Sequence, residues 1–343
     1  MADLTQSTPD LAGACVGVTG ATGFVGRHIA RGLVAAGARV VGIVRRPERG
    51  ADLARAGVEL RRADLLDPVA LAEAMGGLDA LVSNASIAVA RDPDGRVREH
   101  AQLETSAVLG AVRVARDRGV DRIVHISSVA VYRRVPVGRP GLESDPRRGM
   151  RRNLASWFFR RGYGEAKAQV EDALWAEPGL RLTVLRPGPV YGSGDVKVLE
   201  QWGRWLRGPF AVVPDVAVPF VHAGDVADAV TRALACVDCI GLAYNVTGQA
   251  QSIASITRVF RRLIGAGGPT IAIPLPITVE WSNDAIRRDL GLVFRSIESG
   301  IAESLGTQPI GAADDLDPNG AILGRSADSP DSDVGDSHRE SDS

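Results

Sequence analysis

The chain is poor in cysteine, in aromatic residues and in net charge, and each shortage closes off a class of protein. Three cysteines, Cys15, Cys236 and Cys239, in 343 residues cannot staple a disulfide scaffold. An odd number without a secretion signal suits reduced thiols. Cys236 and Cys239 form a C-x-x-C, but no second pair of Cys or His stands at zinc-ligand spacing, so no metal site is expected. The pair reads as two ordinary thiols that continue an apolar helical pattern. Forty basic against 41 acidic residues give a formal charge of -1, which excludes a protein that coats nucleic acid through a general positive field. No run approaches the ~20 apolar residues of a membrane span. The most apolar late stretch, residues 271–279, is broken by Pro274 and Pro276. The first nine residues hold Asp3 and no basic segment ahead of an apolar one, so they do not read as a secretory signal and a cytoplasmic protein is expected.

What is present is ordinary in proportion: 45% hydrophobic and 24% charged residues, close to the soluble globular average. Residues 312–343 are rich in acids and leave the body before them net basic, which suits an anionic cofactor or substrate. From residue 14 an apolar β-rich segment runs into Gly20, Gly23 and Gly26. An amphipathic stretch follows, and Gly37 stops it before a second apolar strand at 38–44. Strand, glycine turn, helix and strand make a βαβ unit. Strand patterns recur at 58–62, 80–83, 122–127 and 181–186, separated by helical stretches such as 68–75 and 103–117. This alternation predicts an α/β fold, a Rossmann-type doubly wound parallel sheet. Beyond Pro187 prolines loosen the rhythm, and helices at about 225–236, 252–263 and 296–304 suggest a smaller, partly helical C-terminal lobe.

The spacing Gly20-x-x-Gly23-x-x-Gly26 lets a pyrophosphate approach backbone amides at a helix N-terminus, and its place between strand and helix makes the triplet informative. A site selective for NAD usually carries a carboxylate at the end of the second strand. Here Arg45 and Arg46 follow Val44. Two guanidiniums suit a bidentate grip on a ribose 2′-phosphate, so NADP(H) is favoured and NAD(H) is the alternative.

Six segments then stand in a telling order: the glycine segment 19–26, Asp64 with Leu65, the run 125–132 with Ser127 and Ser128, the run 163–167, the run 185–192 around Pro187, and 220–227 around His222. Together they resemble the extended short-chain dehydrogenases/reductases, the NAD-dependent epimerase/dehydratase family, over about residues 12–306. The resemblance implies that Thr22, Phe24 and Val25 join the three glycines around the cofactor and that Asp64, with Leu65, approaches the adenine. It further implies that Asn84 and Ala85 lie beside the cofactor, that Pro187 and Val190 pack near the nicotinamide, and that Lys167 binds the nicotinamide ribose. Relatives often carry an Asn near the start of the long helix, where this chain has Glu104, Thr105 and Ser106. The domains expected are a flexible N-terminus over 1–11, a mainly NAD(P)-binding Rossmann domain with the catalytic residues over 12–190, a mainly substrate-binding lobe over 191–306, and a disordered acidic tail over 307–343.

Tyr163 and Lys167 are four residues apart on a predicted helix and so share a face. A Lys ammonium beside a phenol favours the phenolate over its ordinary pKa of about 10, as a general acid/base requires. Ser128, at a strand end, is placed to donate a hydrogen bond to a substrate carbonyl oxygen. It is preferred to Ser127 because the resembling motif sets its hydroxyl four residues before Tyr132. Ser128, Tyr163 and Lys167 are the expected catalytic residues. His125 reads as structural, and His222 and Asp225 read as organising a loop, with Asp225 suited to an N-cap.

A basic stretch, residues 147–161, contains Arg160, Arg161 and three aromatic residues. It reads equally as a lid over an anionic substrate and as a solvated amphipathic helix. Ser86, Arg133, Arg160, Arg161 and His222 are the substrate-side candidates. No Asn occurs in the segment from Pro187 to Pro189, and Val129 rather than a carboxylate follows Ser128; both departures speak against the nucleotide-sugar chemistry common among the relatives. The reading is therefore NADPH-dependent reduction of a ketone or keto-sugar-like small molecule, with hydride from the nicotinamide and Tyr163 as proton donor. A nucleotide-sugar epimerase or dehydratase of the same family and a non-enzymatic dinucleotide-sensing scaffold are the alternatives. Neither a nucleic acid nor a membrane is an expected partner; a homodimer, such as relatives commonly form, is left open by the sequence.

Overall fold

The first strand, β1 (Cys15–Thr19), has the sequence CVGVT and is buried throughout, as a strand covered on both faces requires. In the computed structural model, which describes residues 9–86, 97–134, 136, 138–147, 162–194 and 206–306, it leads through the glycine turn into α1 (Phe24–Ala35). Ile29, Ala30 and Leu33 give α1 its buried stripe. The chain continues through β2 (Arg39–Val44), α2 (Ala51–Arg55), β3 (Glu59–Arg62), α3 (Pro68–Ala74), β4 (Ala80–Ser83), α4 (Val97–Asp117), β5 (Arg122–Ile126), α5 (Tyr163–Trp175) and β6 (Arg181–Pro187). Local signals start these elements: Asp67, for instance, caps α3 by accepting from the amides of Val69 and Ala70 at 3.1 and 3.0 Å, with Pro68 in the first turn, as capping chemistry prescribes.

The later elements are β7 (Val190–Tyr191), β8 (Ala211–Val218), β9 (Val221–His222), α6 (Ala223–Ala235), β10 (Ala243–Val246), β11 (Gln251–Ser252), α7 (Ile253–Leu263), β12 (Thr270–Thr278), α8 (Asp284–Leu290) and α9 (Ile297–Leu305). The main sheet has seven strands among the described residues, in the order β10-β6-β5-β4-β1-β2-β3, and its pairs are parallel. One face is covered by α1 and α6, which bury Ile29, Leu33, Val226 and Val230. The other is covered by α3, α4 and α5, with Leu71, Val108, Val112 and Leu174. Each such side chain contributes roughly 1.5–3 kcal/mol by leaving water. The strand order reverses between β1 and β4, which opens a crevice beyond the carboxyl ends of the strands.

The region after Pro187 holds more strand than its prolines suggest. β8, β11 and β12 form a second sheet in the order β11-β8-β12, and residues 243–246 return to the main sheet as β10 beside β6. Pro274 and Pro276 lie on β12, an edge strand, where a missing N–H is tolerated. Pro214 lies on β8 where β12 is the paired neighbour and β11, which pairs only at Ala217 and Val218, is not.

Two expectations are corrected here. Cys236 and Cys239 are not free thiols but a disulfide, with Cα atoms 5.4 Å apart. α6 stops at Ala235, Cys236 turns to extended backbone, and the turn that follows brings the two sulfurs together, so the apolar helical pattern does not run through the pair. The N-cap of α6 is His222, whose side chain accepts from Gly224 N; Asp225 lies inside the first turn and is ion-paired with Arg295. Residues 1–8, the acidic tail at 307–343, and Arg160 and Arg161 with most of the basic stretch lie outside the described residues. No helix among the described residues is long and apolar enough to cross a membrane.

Candidate active site

Gly20 has φ +67°, a left-handed conformation that side chains disfavour, and it makes the tight turn out of β1. A Cβ on Gly26 would sit 2.2 Å from the Gly20 carbonyl oxygen, so the third glycine is what lets α1 rest on the loop. Gly23 is the N-cap of α1. Thr19, the one hydroxyl of β1, accepts from the amides of Asn84 and Ala85, both at 3.0 Å, and the Asn84 side chain donates back to Thr19 O at 3.3 Å. These bonds fasten the end of β1 to the end of β4 where the crevice opens. A polar residue ending an otherwise apolar strand was the available signal for Thr19.

The crevice is a cavity of about 940 Å³ whose walls include Gly20, Thr22, Gly23, Phe24, Val25, Arg45, Arg46, Asp64, Leu65, Asn84, Ala85 and Ser86. The structure thus brings together the assigned residues of the glycine loop, the end of β2, the 64–65 segment and the end of β4, with Gly26 just behind them, whereas Tyr163 and Lys167 are not on this wall. Arg49 and Arg62 also lie on the wall. Arg62 is engaged, donating to Glu48 at 3.4 Å and to Arg45 O at 3.3 Å. The side chains of Arg45 and Arg46 are exposed and hold no ion pair among the described residues. Pro187 and Val190 are not on this wall: Pro187 ends β6, and Val190 pairs with Val221.

Off the cavity wall, Tyr163, half-buried, opens α5 after Gly162, and Lys167 follows one turn later at 3% exposure. The Lys167 ammonium lies 3.2 Å from Oε1 of Glu104 on α4. Burial works against its charge, but Tyr163, Glu104 and Glu171 outweigh it and hold the ammonium above its ordinary pKa. Oε1 of Glu104 also accepts from Ser86 Oγ at 2.8 Å. Ser86 is on the cavity wall, so a chain of polar contacts joins the cavity to Lys167. The sequence marks Glu104 only as standing where relatives often carry an Asn, and nothing local in it pairs this carboxylate with Lys167.

The two adjacent serines part company. Ser127 donates to the buried Glu171 carboxylate. Ser128 Oγ accepts from Ala130 N at 3.2 Å and meets Pro187 O only at 3.5 Å, the looser of the two hydroxyls. Glu171 also takes Arg186 at 2.7 Å and Arg147 at 2.8 Å. Burial pushes its pKa up, but the bonds from Arg186, Ser127 and Arg147 bring it below the usual carboxylate range. Arg147, the first residue of the basic stretch, therefore faces α5, where it also meets Asp172 at 2.8 Å.

Residues 16–247 match the model of the NAD dependent epimerase/dehydratase family. The chain belongs to this family. It is 32% identical over 186 residues, 54% of this chain and 52% of the relative, to a 4-hydroxy-2-methyl-3-oxo-4-farnesyl-3,4-dihydroquinoline-1-oxide ketoreductase from Stigmatella aurantiaca. It is 33% identical over 196 residues, 54% of this chain and 58% of the relative, to a dTDP-4-dehydro-6-deoxy-D-allose reductase from Streptomyces sp. The chain spans little more than half the length of these curated relatives. Its fold is similar to that of a UDP-glucose-4-epimerase from Stenotrophomonas maltophila solved with bound NAD and formylated UDP-arabinopyranose, with a TM-score of 0.68 at 20% identity over 85% of this chain and 95% of that one.

Within this family member the remaining candidates scatter. His125 is fully buried, its Nδ1 is 3.2 Å from Ser83 Oγ, and burial pushes its pKa down to about 3, so it stays neutral inside the sheet. His222 is not on the wall of the cavity described above; its Nε2 lies 3.3 Å from Ser304 Oγ while Nδ1 caps α6. Arg133 lies with Arg134, Arg139 and Tyr132 on a separate cavity of about 330 Å³.

Proposed function

We propose that this family member reduces a ketone or keto-sugar-like small molecule with NADPH. The observation that carries the reading is the pair of exposed guanidiniums, Arg45 and Arg46, which hold no ion pair among the described residues, on a cavity that a polar chain through Ser86 and Glu104 joins to Lys167. The residues present fit a dinucleotide: a Cβ at Gly26 would collide with the loop that must meet the pyrophosphate, and Arg45 and Arg46 give a 2′-phosphate two donors. When bound, the nicotinamide supplies the hydride.

The chain's own residues do the rest. Ser128 orients the substrate carbonyl by donating to its oxygen. Tyr163 gives that oxygen a proton as the carbon becomes an alcohol, and the Lys167 ammonium steadies the phenolate left behind. Residues 12–190 hold mainly the dinucleotide and 191–306 mainly the substrate. Similarity to two proteins named as reductases supports the direction. In a Tyr163→Phe variant turnover falls by about 10²–10⁴-fold while NADPH binding, followed by fluorescence titration, is kept. Full turnover in that variant overturns the assignment.

A further inference from the structure

Glu104 is the charged group that this chemistry leaves without a task. It is 1% exposed. Its Oε1 serves Lys167 and Ser86, while Oε2 is buried and takes no hydrogen bond among the described residues. Stability is a poor reason for such a residue. An unpaired buried carboxylate oxygen costs free energy, and a buried ion pair is often no more stable than apolar side chains of the same volume.

Its consequence is electrostatic. Among the described residues the charged and titratable groups facing Lys167 are Glu104 from α4, Tyr163 and Glu171 from α5, and His125 from β5. Burial keeps His125 neutral. Glu171 is already held by Arg186 and Arg147. Glu104 is therefore the anion left to balance the ammonium.

We propose that Glu104 neutralises Lys167 and thereby keeps the Tyr163 phenol protonated, so that it sets the pH above which the site ceases to donate a proton. It is a positioning residue acting through Lys167, and the proposal rests on Tyr163 being the proton donor. Without the carboxylate, the uncompensated ammonium stabilises the phenolate and the site is exhausted as an acid at lower pH.

The test is an ultraviolet titration of tyrosinate on the full chain. The chain has four tyrosines, and burial raises three of them, Tyr132 to about 12 and Tyr191 and Tyr244 further. The step that disappears in Tyr163→Phe belongs to Tyr163. In Glu104→Gln that step moves down by about one pH unit, and the alkaline limit of reduction moves with it. A step that stays in place or rises overturns the proposal. Should Glu104→Gln fail to fold, Glu104→Asp and Glu104→Asn form a second pair differing in charge, and the Asn variant must titrate lower; equal titration overturns the proposal. An unmoved step together with an inactive Tyr163→Phe sinks the role of Glu104 alone, whereas a fully active Tyr163→Phe sinks the proton-donor reading on which it rests.

Discussion

At the open end of the candidate site, on the cavity wall, Arg45 and Arg46 stand exposed and without an ion pair among the described residues, whereas at its buried end, around α4 and α5, Lys167, Glu104, Glu171 and Arg186 are at most 3% exposed and each meets an opposite charge. The two ends belong to one sheet and differ in what completes them. Exposed guanidiniums cost little to keep solvated, and an incoming phosphate can neutralise them. Buried charges must be balanced by the protein itself, because an uncompensated one costs several kcal/mol. Their balance then controls protonation, as the proposed proton transfer requires. Damage to the first end should therefore appear in affinity, and damage to the second in stability and pH dependence.

The largest effect belongs to the buried end. Glu171→Ala leaves Arg186 buried without its carboxylate, and the loss is expected to be about 3–5 kcal/mol, read as a lower denaturant midpoint. An unchanged midpoint would erase the contrast between the two ends.

Acid sharpens the same point through His125. Its pKa is about 3 in the fold against an ordinary 6.5, so the unfolded chain binds the extra proton first. The stability this neutral ring carries is complete above pH 6.5 and is lost as the pH falls towards 3, on the order of 1 kcal/mol per pH unit. His125→Gln should flatten that part of the stability profile. An equally steep profile in the variant would assign the acid sensitivity elsewhere.

The smallest expected effect on the fold lies at the open end. Arg45→Ala combined with Arg46→Ala should weaken NADPH by about tenfold or more, leave NADH nearly unchanged, and keep the denaturant midpoint where it was. The loss should shrink at high salt, since exposed charges are screened. A fall in stability with no change in the NADPH to NADH ratio would reverse the assignment of the two ends.

The open end was legible in the sequence because its parts are neighbours along the chain: the glycine triplet lies within seven residues, and Arg45 and Arg46 follow one strand. The buried end was legible only in Tyr163 and Lys167, whose spacing is local. Glu104 meets Lys167 across a separation of 63 positions, on two different helices, and Glu171 meets Arg186 from helix to strand. No periodicity encodes such pairs. The second sheet was hidden because Pro214, Pro274 and Pro276 read as breaks, although edge strands and unpaired stretches tolerate them. The disulfide was hidden because the end of α6 at Ala235, and not any spacing rule, brings Cys236 and Cys239 together.

The measurement that bears most directly on the account is titration of the purified chain with NADPH and with NADH, followed by fluorescence and by mass spectrometry of whatever cofactor remains after dialysis. Exchangeable binding, with NADPH tighter than NADH, is the expected result. Tighter binding of NADH, or binding of neither, would contradict it.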